Sequence, residues 1–163
     1  MFLDDDLSHQ PGTFALVPQV VNAVDLPVIA GALALGAAGV QIGTAYLATS
    51  EATISDLHRT ALAEASDDAS QITNLFSGKP ARGLSTRVMR EIGPLSDDTP
   101  PFPTAGCALA LLKKAAEANG KTDFSSLWAG QAAALARPGD AGEVTRRLIA
   151  EAGAHLTRLS RGR

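Results

Sequence analysis

One cysteine, Cys107, is all the chain contains, so no internal disulfide can form and a reducing compartment is the simple expectation. Aromatic residues are scarce at 4%, with a single Trp and a single Tyr. No apolar run approaches the ~18–20 residues that a membrane helix needs; "GALALGAAG" is too short and too rich in glycine. Charge of neither sign dominates: the net charge is −3, which argues against the basic footprint of a nucleic-acid-binding domain. The one local basic excess, "RLSRGR" (Arg158 to Arg163), reads as a solvated tail. The start, "MFLDDDLSHQ", lacks the positive segment of a signal peptide. The expectation is a cytoplasmic protein with neither a nucleic-acid nor a membrane partner. What is present is 45% apolar residues over 163, rich in Ala and Leu, enough for a domain-sized core with a bias to helix.

Periodicity and punctuation set the expected elements. "TFALVPQVVNAV" spaces Phe14, Val17, Val20, Val21 and Val24 as a helix face behind Thr13 as cap. "LPVIA" and "GVQIGTAYL" read as buried strands. Ser50 or Thr53 is expected to cap a helix through "ISDLHRTALAEA". "SQITNLFSG" reads as a short edge strand, "GKPARG" as a loop, and "LSTRVMREIG" as a helix stopped by Gly93-Pro94. "LSDDTPPFP" is a linker. Two helices are expected next, "TAGCALALLKKAAEANG" ending at Asn119-Gly120, and "DFSSLWAGQAAALA". A last one carries Val144, Leu148, Ala152 and Leu156 on one face. Within this pattern Cys107 reads as a small buried core residue and Trp128 as core. Asp4 to Asp6 read as a solvated loop, because adjacent carboxylates repel. His9 reads as a surface residue, His58 as structural, and His155 offers no chemistry. No metal site is expected.

"QIGTAY", Gln41 to Tyr46, carries the chemistry. A strand ending in Gly-Thr offers backbone N–H groups and a hydroxyl to an anion, and glycine allows close approach. The nine residues between Ala30 and Val40 are fewer than the dozen or so that a parallel crossover needs.

"GTFALVPQVVNAVDLPVIA", "ALALGAAGVQIGTAYLATSEAT", "HRTAL", "TNLFSGKPARG", "RVMREIGPLSD", "PPFP" and "DFSSLWAGQ" occur in that order. Together they resemble the nitronate monooxygenase family, from Met1 to about Leu156. The resemblance implies an α/β chain: the last strands of an FMN-binding (β/α)₈ (TIM) barrel plus a mainly helical C-terminal region. It implies three stretches, 1–66 as barrel remnant, 67–101 as an inserted strand, loop and helix segment, and 102–163 as C-terminal helices. The activity it implies is oxidation of an alkyl nitronate by O₂ to a carbonyl compound and nitrite, with FMN as cofactor. "VQIGT" matches the family's phosphate-binding strand, so Gln41, Gly43 and Thr44 are the cofactor-binding expectation. "WAGQ" matches a segment near the flavin ring and adds Gly130 and Gln131.

Two departures bear on activity. The family's "GGHRG"-type histidine motif, its catalytic base or orienter, precedes a segment like "MFLDDDLS"; this chain starts at that segment, so no catalytic residue is assigned. A glycine-rich phosphate loop that the family places after "PVIA" is missing between Ala30 and Ala32, which accounts for the short crossover. The expectation is an impaired monooxygenase, or one needing a homo-oligomer or partner chain to supply strands. The alternatives are a flavin-dependent enoyl-acyl carrier protein reductase-like enzyme and a non-catalytic helical interaction remnant.

Overall fold

The computed structural model describes residues 38–39, 41–66 and 68–161. The expected helix over Thr13–Val24, the strand "LPVIA", the crossover, the site of the shortened loop, Asp4 to Asp6 and His9 lie outside these residues. The described residues form two compact units, one running 43–138, the other including 139–161.

In the first unit the chain enters a short helix, α1 (Thr44–Leu47), and then α2 (Asp56–Ala63). The expected strand over "GVQIGTAYL" is thereby corrected: Gln41–Gly43 are irregular and Thr44 begins a helical turn closed by Tyr46 N donating to Gly43 O at 2.9 Å. The cap of α2 is Ser55 rather than Ser50 or Thr53. Its hydroxyl accepts from His58 N at 3.2 Å, which satisfies one of the free N–H groups of the first turn.

The sheet among the described residues is an antiparallel pair, β1 (Ser70–Thr73) and β2 (Ala81–Leu84), in register Ser70↔Leu84 through Thr73↔Ala81. β1 fulfils the strand expected in "SQITNLFSG". β2 corrects the loop expected in "GKPARG". Gly and Pro there do mark a turn, but Ala81–Leu84 beyond them are ordered by pairing on both sides. On the side away from β1, Leu84 N donates to Leu127 O at 2.8 Å and Ala129 N to Arg82 O at 3.3 Å, around a Gly83–Trp128 bridge. The same bonds correct the helix expected over "DFSSLWAGQAAALA". Backbone groups of Leu127 and Ala129 are committed to β2, and the Asp123 carbonyl accepts from Val88 N at 3.1 Å. Tertiary pairing overrides the helical propensity of the segment, leaving one 3-10 turn at Ala133–Leu135.

Gly83 permits this approach. A Cβ there would lie 2.9 Å from Leu127 O and 3.4 Å from the Trp128 ring. Trp128 is half-buried, edge-on to Phe76 with ring centroids 5.9 Å apart, rather than part of a helical core face.

Helices α3 (Arg87–Ile92) and α4 (Ala105–Ala118) stop where expected, before Gly93 and Asn119. Only Ala105 of α4 is buried. Cys107 follows by two residues, about 200° around the helix, and is exposed, not core. The apolar stretch around it finds only partial cover: Leu109 packs against the buried Leu75, Val88 and Met89, while Leu111 is 83% exposed. Helix α5 (Ala141–Arg161), in the second unit, matches its predicted span. Asp140 caps it by accepting from Glu143 N at 2.7 Å, and Val144 of the predicted stripe is fully buried.

Candidate functional site

Leu62, Leu84, Leu127, Ala129 and Ala133 form one buried cluster, with Leu47, Ile54 and Ala61 packed against it. Each piece of chain that carries an expected site residue in this unit contributes to that cluster. Leu47 follows Thr44 by three residues, and Leu127, Ala129 and Ala133 bracket Gly130 and Gln131. Burial of these side chains, roughly 1.5–3 kcal/mol for each Leu, fixes the backbone on which the polar groups sit.

Thr44 and Gly130 meet although 86 positions separate them. Gly130 N donates to Thr44 Oγ1 at 2.7 Å. A Cβ on residue 130 would stand 3.2 Å from that oxygen, so glycine keeps the approach unobstructed. A threonine hydroxyl carries one donor and two acceptor lone pairs; accepting from Gly130 leaves its proton to donate. Beside it Gly43 is exposed, and a Cβ built there would meet nothing within 4 Å. An acceptor-only anion such as a phosphate oxygen therefore has a donor and open room at Gly43–Thr44. Gln131 is exposed next to Gly130, and Gln41, in the other unit, is exposed as well. The structure thus joins Thr44 and Gly130, with Gly43 next to Thr44 in the chain, and no hydrogen bond draws Gln131 into that contact.

α2 supplies supports that the sequence reading left unassigned. Arg59 donates from Nη1 to Thr49 O at 2.7 Å and from Nη2 to Ala52 O at 3.0 Å. Buried Thr49 in turn donates from Oγ1 to Tyr46 O at 2.8 Å. His58 is half-buried. Burial holds its pKa below the ordinary 6.5, with the polar backbone of Trp128 opposing. Its Nε2 is buried without a hydrogen-bond partner. A cavity of about 310 Å³ opens beside Trp128, Arg82, Ala81 and Ser77. Among the described residues no cluster of His, Cys, Asp and Glu could hold a metal ion, and no helix is long and apolar enough to cross a membrane.

These features place the chain among α/β proteins with close structural counterparts. It superposes on a solved structure of nitroalkane oxidase from Streptomyces ansochromogenes with a TM-score of 0.76, at 36% identity, covering 90% of this chain and 45% of that one. It superposes on FabK from Thermotoga maritima with a TM-score of 0.73, at 26% identity, covering 93% and 52%. A family model for nitronate monooxygenase matches residues 5–151. A probable nitronate monooxygenase of Staphylococcus aureus strain MSSA476 is 36% identical over 85% of this chain, and one from Staphylococcus saprophyticus is 33% identical over 76%. The chain belongs to the nitronate monooxygenase family. It spans less than half the length of these curated relatives, 42% and 38%.

Proposed function

We propose that this chain is the phosphate-binding part of an FMN-dependent (β/α)₈-barrel oxidoreductase that converts an alkyl nitronate and O₂ to a carbonyl compound and nitrite. The observation that carries the reading is the Gly130–Thr44 hydrogen bond. Two segments that the family resemblance places separately at FMN lie against each other here, with room beside Gly43.

The residues fit a phosphomonoester. Thr44 Oγ1–H donates to a phosphate oxygen, and the exposed Gly43 backbone lets that oxygen come close. Gly130 holds the hydroxyl's orientation by occupying a lone pair. Gln131, exposed beside Gly130, completes the proposed set in this unit, and Gln41 is carried over from the family resemblance alone. FMN, when bound, supplies the redox chemistry, taking electrons from the nitronate and passing them to oxygen. The residues described here bind and orient; none is assigned as the base. With one side-chain hydroxyl as the principal handle and the glycine-rich loop shortened at Ala30–Ala32, this chain alone binds FMN weakly and turns over slowly.

Oxygen uptake by the chain with FMN and an alkyl nitronate tests the proposal. The expected signal is nitronate-dependent and only slightly above a free-FMN control. Rapid, saturable turnover would overturn the claim of impairment. The likeness to FabK favours one second reading, a flavin-dependent enoyl-acyl carrier protein reductase-like enzyme. Reduction of an enoyl thioester with no response to nitronate would establish that reading instead.

A further inference from the structure

We propose that the cavity between α3, α4 and segment 96–100 is a preformed site for a small neutral apolar molecule, with Asn74 fixing one of its walls. The site shares no residue with the Thr44–Gly130 contact. Its volume is about 160 Å³. Val88 and Ile92 line it from α3 at a spacing of one helical turn, and Ala105, Ala108 and Leu109 line it from α4 at i, i+3 and i+4, so each helix turns one face to it. The floor is buried: Leu75 and Val88 belong to the core cluster that Leu109 packs against. Ile92 is 57% exposed and Ala108 is exposed as well, which marks the mouth. An apolar cavity of about 150 Å³ takes up benzene, so the space here suits a hydrocarbon group of about six carbons. An occupant would cover the part of Ile92 that the protein leaves open.

The remaining wall is irregular chain, Ser96 to Pro100, and one side chain sets its position. Asn74 Nδ2 donates to Ser96 O at 2.9 Å, while Asn74 Oδ1 accepts from Ser96 N at 3.1 Å and from Thr99 Oγ1 at 3.3 Å. The side-chain amide pairs with both backbone groups of Ser96 as a neighbouring strand would, which takes a donor and an acceptor on one planar group. Asn74 N adds a bond to Pro94 O at 3.3 Å. The wall therefore stands before any ligand arrives, and binding does not have to order it. Leu95 and Phe102, the apolar side chains flanking the segment, are exposed and are not among the residues lining the cavity. Asp98 lines it and no Lys or Arg does, so a neutral molecule is favoured over an anion of the same shape.

Methyl NMR of the full chain titrated with benzene, without flavin, tests the site. Saturable shifts are expected at the methyls of Leu75, Val88 and Leu109, with a Kd of about 1 mM for a ligand of this size. Benzoate, the same ring carrying a carboxylate, is expected to leave those methyls in place. Ala108→Leu adds bulk at an exposed position of the mouth and is expected to weaken benzene binding roughly tenfold. Asn74→Asp keeps the side-chain shape but loses the donor to Ser96 O, and is expected to weaken binding several-fold while the methyl spectrum of the free chain stays dispersed. No saturable shift up to the solubility limit of benzene would overturn the proposal. Equal responses to benzene and benzoate would overturn it too, as would an Ala108→Leu titration identical to wild type. Unchanged binding in a folded Asn74→Asp chain would overturn the role of Asn74. Should that variant fail to fold, Asn74→Gln, which keeps the amide but displaces it by one methylene, decides by the same criterion.

Discussion

Gly83→Ala is the substitution whose cost the structure sets most tightly. The added methyl would sit 2.9 Å from the Leu127 carbonyl oxygen, closer than real Cβ contacts come, and 3.4 Å from Leu127 C and Trp128 Cε3. The nearest obstacle is backbone, so the strain cannot be relieved by a rotamer change. Either β2 or the Leu127–Ala129 segment must move, at a typical overpacking cost of about 1–3 kcal/mol. The movement stretches the bonds from Leu84 N to Leu127 O and from Ala129 N to Arg82 O, each contributing about 0.5–1.5 kcal/mol. Reduced freedom of the unfolded chain returns only about 0.4–1 kcal/mol, so the strain wins. A net loss of about 1–4 kcal/mol lowers Tm by roughly 2–4 °C per kcal/mol for a chain of this size. Thermal unfolding followed by far-UV circular dichroism measures it. A Gly83→Ala chain melting within about 1 °C of wild type would refute the claim that Gly83 exists to admit the Trp128 segment.

Further outcomes follow from single contacts. Thr44→Val removes the acceptor of Gly130 N; because that amide can reach water, the stability loss is about 1 kcal/mol or less, but Gly130 exchange quickens in the apo chain. His58 is held neutral in the folded state and charges more readily unfolded, so the unfolded chain binds the extra proton. Stability from this group is complete above 6.5 and declines as pH falls below 6.5 toward the lowered folded value; urea midpoints from pH 8 to 5 check the sign, the wild-type stability relative to His58→Asn falling as pH falls, and a relative stability that instead rises toward pH 5 would contradict it. Cys107 is exposed on α4, so native protein should react with a thiol reagent as fast as urea-unfolded protein, and Cys107→Ser should change stability by less than about 0.5 kcal/mol.

Helices with punctuation were legible in the sequence. α3, α4 and α5 carry glycine, asparagine or aspartate at their ends, and their apolar spacing needs no knowledge of partners. β2 and the Leu127–Gln131 segment were not legible. Ala81–Leu84 holds Arg and Gly between turn residues, and its extended form comes from pairing with β1 on one edge and Trp128 on the other. The helical reading of "DFSSLWAGQAAALA" failed for the same reason, since its propensity was outbid by strand-like bonds to a segment 45 residues earlier (Gly83 against Trp128). Cys107 misled because an apolar helical stretch predicts a buried face only when something covers it. At the candidate site, Thr44 was readable as a hydroxyl after a glycine, and Gly130 only through the family resemblance. Their meeting across 86 positions belongs to the fold. The supporting Arg59 had no sequence signal beyond its place on an amphipathic helix.

The central claim is that Gly43, Thr44 and Gly130 form the phosphate end of an FMN site. Titrating the ¹⁵N-labelled chain with FMN tests it most directly. One hydroxyl and neighbouring backbone donors at about 1.5–3 kcal/mol each support a Kd of roughly 0.1–1 mM. The account predicts saturable shifts at the Gly43, Thr44 and Gly130 amides in that range, weakened several-fold by Thr44→Val. Shifts confined to other residues, or an identical titration of the Thr44→Val chain, would contradict it.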